Sequence, residues 1–189
     1  MNHQDHVALL RPGIPGPGGV WADLGAGSGA FTIALADLVG PTATTYAVDR
    51  DRAALDRLRA GWRSLAAPPR LETVVADVAR PLALPPVDGA VMANVLHFFR
   101  DHVAVLRRVH DILRPGAPLL LVEYNVDDGN VWVPHPLAYA TFAREAATAG
   151  FVDITWLTTR PSRFLREIYS ARALRVVTEG YRSDGDRMI

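Results

Sequence analysis

"DLGAGSG", residues 23–29, follows the short apolar run Val20-Trp21-Ala22 and leads into a helix-patterned stretch. Glycines stand at positions 25, 27 and 29. Glycine at every second position lets the chain turn sharply and approach a ligand with no Cβ in the way. A helix starting beside Gly29 aims its first unbonded N–H groups into the same space. An ordinary tight strand-to-helix turn would show the same glycines, so the decision falls to the residues around them.

Outward from the loop, strand and helix patterns alternate. Residues 20–24 read as a buried strand. Residues 29–39 are helical, with Phe31, Ala34, Leu35 and Leu38 at helix spacing. Residues 44–49 form a second strand, and 51–65 a helix with Leu55, Leu58 and Trp62 on one face. Strands follow at 71–78 and 88–95, then an amphipathic helix at 101–113 stopped by Arg114-Pro115-Gly116. Residues 118–124 are a fifth strand whose Leu119–Val122 centre is wholly apolar, as in strands covered on both faces. A helix at 135–149 ends on Gly150, and strands at 153–160 and 164–173 flank Pro161-Ser162. Repeated β-α units specify an α/β fold, a single doubly wound Rossmann-like sheet. The last two strands, joined by a short turn, must run antiparallel to each other.

In such a sheet ligands bind beyond the carboxyl ends of the strands, where strand order reverses. The glycine loop is at that place. The second strand ends in Val48-Asp49, where a carboxylate can accept from both hydroxyls of a ribose. The third ends in Ala76-Asp77-Val78, where a carboxylate can accept from an adenine amino group. A glycine cradle, a diol acceptor and an amine acceptor on consecutive strand tips outline a site for an adenosine-containing cofactor.

Two cofactors compete for it. Gly25-x-Gly27-x-x-Ala30 fits the nicotinamide pattern G-x-G-x-x-G/A literally. Asp23, however, would then lie against a pyrophosphate, where its charge is unfavourable; beside an ammonium it is favourable. The chain also holds no lysine, which removes a Tyr-x-x-x-Lys dehydrogenase centre. Asp23-Leu24-Gly25-Ala26-Gly27-Ser28-Gly29 resembles the D/E-x-G-x-G-x-G loop of class I S-adenosylmethionine-dependent methyltransferases. Asn94-Val95-Leu96-His97 with Asp101, and Leu113-Arg114-Pro115-Gly116, resemble that family's exit from strand four and its turn before strand five. The resemblance covers about residues 20–173 and is similar to the small-molecule group that includes the ubiquinone/menaquinone C-methyltransferases.

The resemblance implies a seven-stranded sheet in the order 3-2-1-4-5-7-6 with strand 7 antiparallel. It implies S-adenosylmethionine as cofactor, S-adenosylhomocysteine as product, and a small-molecule acceptor with an O, N or C nucleophile. Gly25, Ala26, Gly27 and Gly29 would pack on the methionine part, with Asp23 near its ammonium. Asp49 would hold the ribose with Arg50 near the adenine; Asp77 and the Val78 N–H would read the adenine edge. Asn94 would close the methionine end. Ala26 departs from the cysteine that many relatives carry there, and the segment before the first strand is shorter than the helical cap of many relatives.

The methyl group would project near the exits of strands four and five. His97 is the candidate general base there, with Phe98, Phe99 and Glu123 nearby. Tyr124, Trp132 and His135 are the candidate substrate contacts, the last two on a loop long enough to act as a lid. The alternative is a protein of this fold that binds the cofactor or a partner without catalysis.

Composition narrows the field further. The chain has 189 residues, 49% of them hydrophobic, with a formal net charge of zero. That length suits one domain, here residues 20–175, with a short N-terminal segment at 1–19 and a polar tail at 176–189. Arg11 to Gly19 is the most linker-like stretch. The absence of cysteine removes disulfides, thiolate metal sites and cysteine nucleophiles, and no metal is expected at His3 or His6. Zero net charge argues against nucleic acid as partner. No apolar signal core is present at the start, so a cytoplasmic location away from membranes is the expectation.

Overall fold

The computed structural model describes residues 1–162 and 164–177. In chain order the elements are α1 (His3–Leu10), β1 (Val20–Leu24), α2 (Ala30–Val39), β2 (Thr44–Asp49), α3 (Arg52–Trp62), β3 (Arg70–Val75), β4 (Gly89–Ala93), α4 (His102–Ile112), β5 (Pro118–Tyr124), α5 (Tyr139–Thr148), β6 (Phe151–Pro161) and β7 (Glu167–Arg175). The strands form one seven-stranded sheet in the order β3-β2-β1-β4-β5-β7-β6. Strands β1 to β5 pair in parallel, and β7 is antiparallel to both β5 and β6. The expected architecture and order are therefore present. Strand order reverses between β1 and β4, which opens a crevice at their carboxyl ends.

Strands β4 and β5 are buried on both faces, as their apolar runs require. Alternate residues serve opposite layers. Val91, Leu120 and Val122 pack with Trp21, Phe31 and Leu35 on the α2 side. Ala90, Met92, Leu119 and Leu121 pack with Leu106, Val109 and Phe142 on the side of α4 and α5.

The N-terminal segment is built into the first of these layers. Asn2 caps α1 through a reciprocal pair: its side chain accepts from Asp5 N–H, and Asp5 accepts from Asn2 N–H. Leu9 and Leu10 are fully buried among Trp21, Phe31, Leu120 and Val122. Each such leucine contributes roughly 2 kcal/mol, which holds so short a helix in place. Of the tail expected at 176–189, residues 178–189 lie outside the described residues.

Several boundaries differ from the pattern reading by a few residues: α3 is Arg52–Trp62 rather than 51–65, β4 is Gly89–Ala93 rather than 88–95, and β7 is Glu167–Arg175 rather than 164–173. Three further differences have a local reason. Strand β3 ends at Val75 rather than at 78, because Asp77 turns the chain: its Oδ1 accepts from Ala79 N–H at 2.9 Å and its carbonyl from Arg80 N–H at 2.9 Å. Helix α5 starts at Tyr139 rather than at 135, since Pro136 disfavours helical geometry at the residue before it. Strand β6 starts at Phe151 rather than at 153, and its pairing shifts register between Val152 and Thr155 around Asp153, which has φ +49°.

Candidate functional site

Two adjoining cavities open at the crevice and share Gly25 and Asn94. The larger, of about 450 Å³, is lined by Gly27, Asp49, Arg50, Asp77 and Val78, with Val95, Phe98 and Phe99 on its far wall. The smaller, of about 220 Å³, is lined by Asp23, Ala26, Ser28, Phe31 and His6. The structure thus gathers Asp23, Gly25, Ala26, Gly27, Asp49, Arg50, Asp77, Val78 and Asn94 around one crevice. Gly29 lines neither cavity; it caps α2 and lies against Leu58.

The loop that joins β1 to α2 is held from β2. Gly25 and Ala26 both donate to the Val48 carbonyl, at 2.7 and 3.0 Å. Gly27 donates to Asp49 Oδ2 at 2.8 Å, and Asp49 Oδ1 accepts from Asp51 N–H at 2.8 Å. A carboxylate has about four lone-pair directions, so Asp49 can anchor the loop and still accept from a ligand. Gly27 has φ +53° and no atom within 4 Å of where its Cβ would be. Its bare face is left to the cavity. Gly25 is constrained the other way: a Cβ there would come within 2.3 Å of Val95 Cγ2.

Asp23 is buried at the end of β1, with Thr32 Oγ1 donating to its Oδ2 at 2.6 Å. Burial raises its carboxyl from the ordinary range to about 7, against the opposing pull of the Thr32 hydrogen bond and with a small push from Asp49. The acid therefore ionises readily only if something positive comes to it. Asn94, just past β4, has φ +55° and a buried Oδ1 that meets no hydrogen-bond donor among the described residues. Asparagine tolerates that left-handed backbone; the residue lines both cavities, while its Oδ1 is closed off from solvent.

His97 follows on a short turn, residues Leu96–Phe98. Its ring is packed away, 3% exposed, against the fully buried Glu123 at the end of β5. His97 Nδ1 lies 2.8 Å from Glu123 Oε2 and 3.0 Å from Oε1. The backbone N–H groups of His97 and Tyr124 also donate to this carboxylate, each at 3.3 Å. Glu123 thereby fixes the proton on Nδ1 and leaves the Nε2 lone pair, which makes no hydrogen bond among the described residues. Around the imidazole stand Phe98, with centroids 4.3 Å apart, and Tyr124 at 6.1 Å; Phe164 lies 5.9 Å beyond Tyr124.

The candidate substrate residues are placed unevenly. Tyr124 is half-buried beside His97. His135 is joined to the site through its backbone: its N–H donates to the His97 carbonyl at 2.9 Å, and its carbonyl accepts from His102 Nε2 at 3.0 Å. Trp132 is 74% exposed on the loop and lines neither cavity. Two contributors were not anticipated from sequence. Thr32 is the hydroxyl under Asp23; its signal is a polar residue in the otherwise apolar first turn of α2. His6 reaches the smaller cavity only through the docking of α1, which no spacing in the chain announces.

A family model described as a methyltransferase domain matches residues 22–119. Mouse acetylserotonin O-methyltransferase is 39% identical over 116 residues, covering 58% of this chain and 29% of that protein. The chain thus spans under a third of the length of the curated relatives it matches. Among solved structures, an arsenic(III) S-adenosylmethionine methyltransferase from Chlamydomonas reinhardtii superposes with a TM-score of 0.72 at 20% identity, covering 88% of this chain and 67% of that one. Human N-acetylserotonin methyltransferase in complex with S-adenosylmethionine superposes at 0.66 with 17% identity, covering 94% and 52%. With more than half of its residues inside the family match, the chain belongs to the methyltransferase domain family, whose cofactor is S-adenosylmethionine.

Proposed function

We propose that this chain methylates a hydroxyl of a small aromatic acceptor, using S-adenosylmethionine bound across the two cavities. The residues present fit that cofactor. Two half-buried carboxylates, Asp49 and Asp77, face the larger cavity, where a ribose diol and an adenine amine need acceptors. Arg50 lines the same cavity on the adenine side, and Val78 offers a backbone N–H to the ring edge. The smaller cavity offers Asp23, which suits an ammonium.

The observation that carries the choice of a hydroxyl is the His97–Glu123 pair. When bound, the cofactor supplies an electrophilic methyl group on a sulfonium. An amine attacks such a carbon without help, whereas a phenol needs its proton drawn off as the bond forms. His97, although it lines neither cavity, is the base this reading assigns, because Glu123 beside Nδ1 would stabilise the imidazolium that results. General-base assistance of this kind contributes roughly 10²–10⁴ in rate. Phe98 and Phe164, 56% and 50% exposed, extend with Tyr124 an aromatic surface suited to a flat ring.

The mouse relative named above is an O-methyltransferase, which favours oxygen over the carbon acceptor that similarity to ubiquinone/menaquinone C-methyltransferases would suggest. A second reading, cofactor binding without turnover, draws on the burial of His97, which is 3% exposed and lines neither cavity. Among the described residues no helix is long and apolar enough to cross a membrane. The test is calorimetric titration with S-adenosylhomocysteine, followed by turnover on paired phenols and anilines. Binding with turnover of phenols supports the proposal. Turnover of amines alone, or binding with no turnover, replaces it.

A further inference from the structure

The smaller cavity has two electrical poles. One is the buried carboxyl of Asp23, whose charged form an ammonium beside it would favour. The other is the start of α2, where Gly29 supplies no capping side chain. The N–H groups of Ala30 and Phe31 make no hydrogen bond among the described residues, as the first turn of a helix dictates. Ala30 and Phe31 both line the cavity. His6 stands on this positive side. Its ring lies over Phe31 with centroids 4.6 Å apart, and neither ring nitrogen bonds to another side chain or carbonyl among the described residues. The fully buried contacts of α1 are made by Leu9 and Leu10. Two polar contacts tie the helix to its neighbours: His3 Nε2 lies 2.7 Å from Asp37 Oδ2 of α2, and Asp5 Oδ1 lies 3.7 Å from Arg160 Nε of β6.

We infer that His6 is a cofactor-binding residue: it donates a ring N–H to the α-carboxylate of the methionine moiety, beside the amino terminus of α2. This rests on the cofactor reading above and extends it to a residue outside the loop motif. The amino acid end of the cofactor is a zwitterion, and the cavity matches it pole for pole. Asp23 takes the ammonium; Ala30 N–H, Phe31 N–H and His6 take the carboxylate. The N-terminal helix then completes the cofactor site in addition to covering the sheet.

The test uses the whole chain and three ligands, with affinities read by calorimetry. These are S-adenosylhomocysteine, its decarboxylated form, and 5′-methylthioadenosine, which lacks the amino acid end altogether. His6→Ala should weaken S-adenosylhomocysteine about tenfold and leave the other two within twofold. His6→Gln, which keeps an N–H donor, should recover most of the loss. Equal weakening of all three ligands would make His6 a packing residue and overturn the inference, as would unchanged S-adenosylhomocysteine affinity in His6→Ala. Failure of the unsubstituted protein to bind S-adenosylhomocysteine overturns the cofactor reading itself. Normal binding with an indifferent His6 overturns only this inference.

Discussion

Glu123 Oε2 lies 2.8 Å from His97 Nδ1, and both side chains are removed from water. The carboxylate also accepts two backbone N–H groups, so it orients the imidazole and closes the β4–β5 exit at once. Glu123→Gln keeps the shape and removes the charge that stabilises an imidazolium. It should lower kcat by about ten- to a hundredfold and leave the Kd for S-adenosylhomocysteine unchanged. His97→Ala should lower kcat further, toward the full 10²–10⁴ range of a lost base. Steady-state kinetics on a phenol, paired with calorimetry, checks both.

Asp49 joins two roles that are separable by experiment. Asp49→Ala removes the acceptor of Gly27 N–H and Asp51 N–H as well as the acceptor proposed for a ribose. It should weaken S-adenosylhomocysteine by more than tenfold and also cost roughly 1–2 kcal/mol of stability, read by urea unfolding without ligand. Asp77→Ala should cost less stability, since only the Ala79 N–H loses its side-chain acceptor.

Asp23 makes the stability of the ligand-free protein depend on pH. Its folded pKa is raised to about 7 by burial, above the 3.8 of the unfolded chain. The folded state therefore holds a proton that the unfolded state has released. The stability tied to that proton is fully present below about pH 4 and is lost as pH rises through about 7. Asp23→Asn stays neutral throughout. Its stability relative to the native sequence should climb between about pH 4 and pH 7, by at most roughly 4 kcal/mol at about 1.36 kcal/mol per unit, and level off above. Thermal melts across that range check the direction.

Alanine at two glycines of the loop should fail in different ways. At Gly27 a Cβ meets nothing within 4 Å but protrudes into the cavity. Gly27→Ala should fold with a loss of roughly 1 kcal/mol for its φ of +53° and bind S-adenosylhomocysteine at least tenfold more weakly. At Gly25 the Cβ strikes Val95, so Gly25→Ala should lower the melting temperature far more. Melts and titrations on both variants separate cradle from packing.

Much of this arrangement is legible in the chain because it is local. Apolar runs such as Leu119–Val122 announce buried strands, and strand tips fall at fixed offsets from the glycine loop. That is why Asp49 and Asp77 can be assigned to one crevice before any fold is seen. The boundaries at Val75 and Tyr139 are less legible, because side-chain turns and a proline stop override apolar patterning. The substrate side is least legible of all. Trp132 and His135 lie on a loop whose path is fixed by backbone hydrogen bonds to His97, His102 and Tyr169, which sequence spacing does not encode.

By itself the sequence determined the α/β class and which strand tips meet at the glycine loop, and its family resemblance implied the sheet order. The first two follow from periodicity and short motifs, which act over a few residues. Only the tertiary structure decided which charges meet. Glu123 finds His97 across 26 positions, Thr32 lies under Asp23, and α1 carries His6 to the smaller cavity. Such pairings depend on how packed elements dock, and docking is set by burying whole apolar faces rather than by any local pattern.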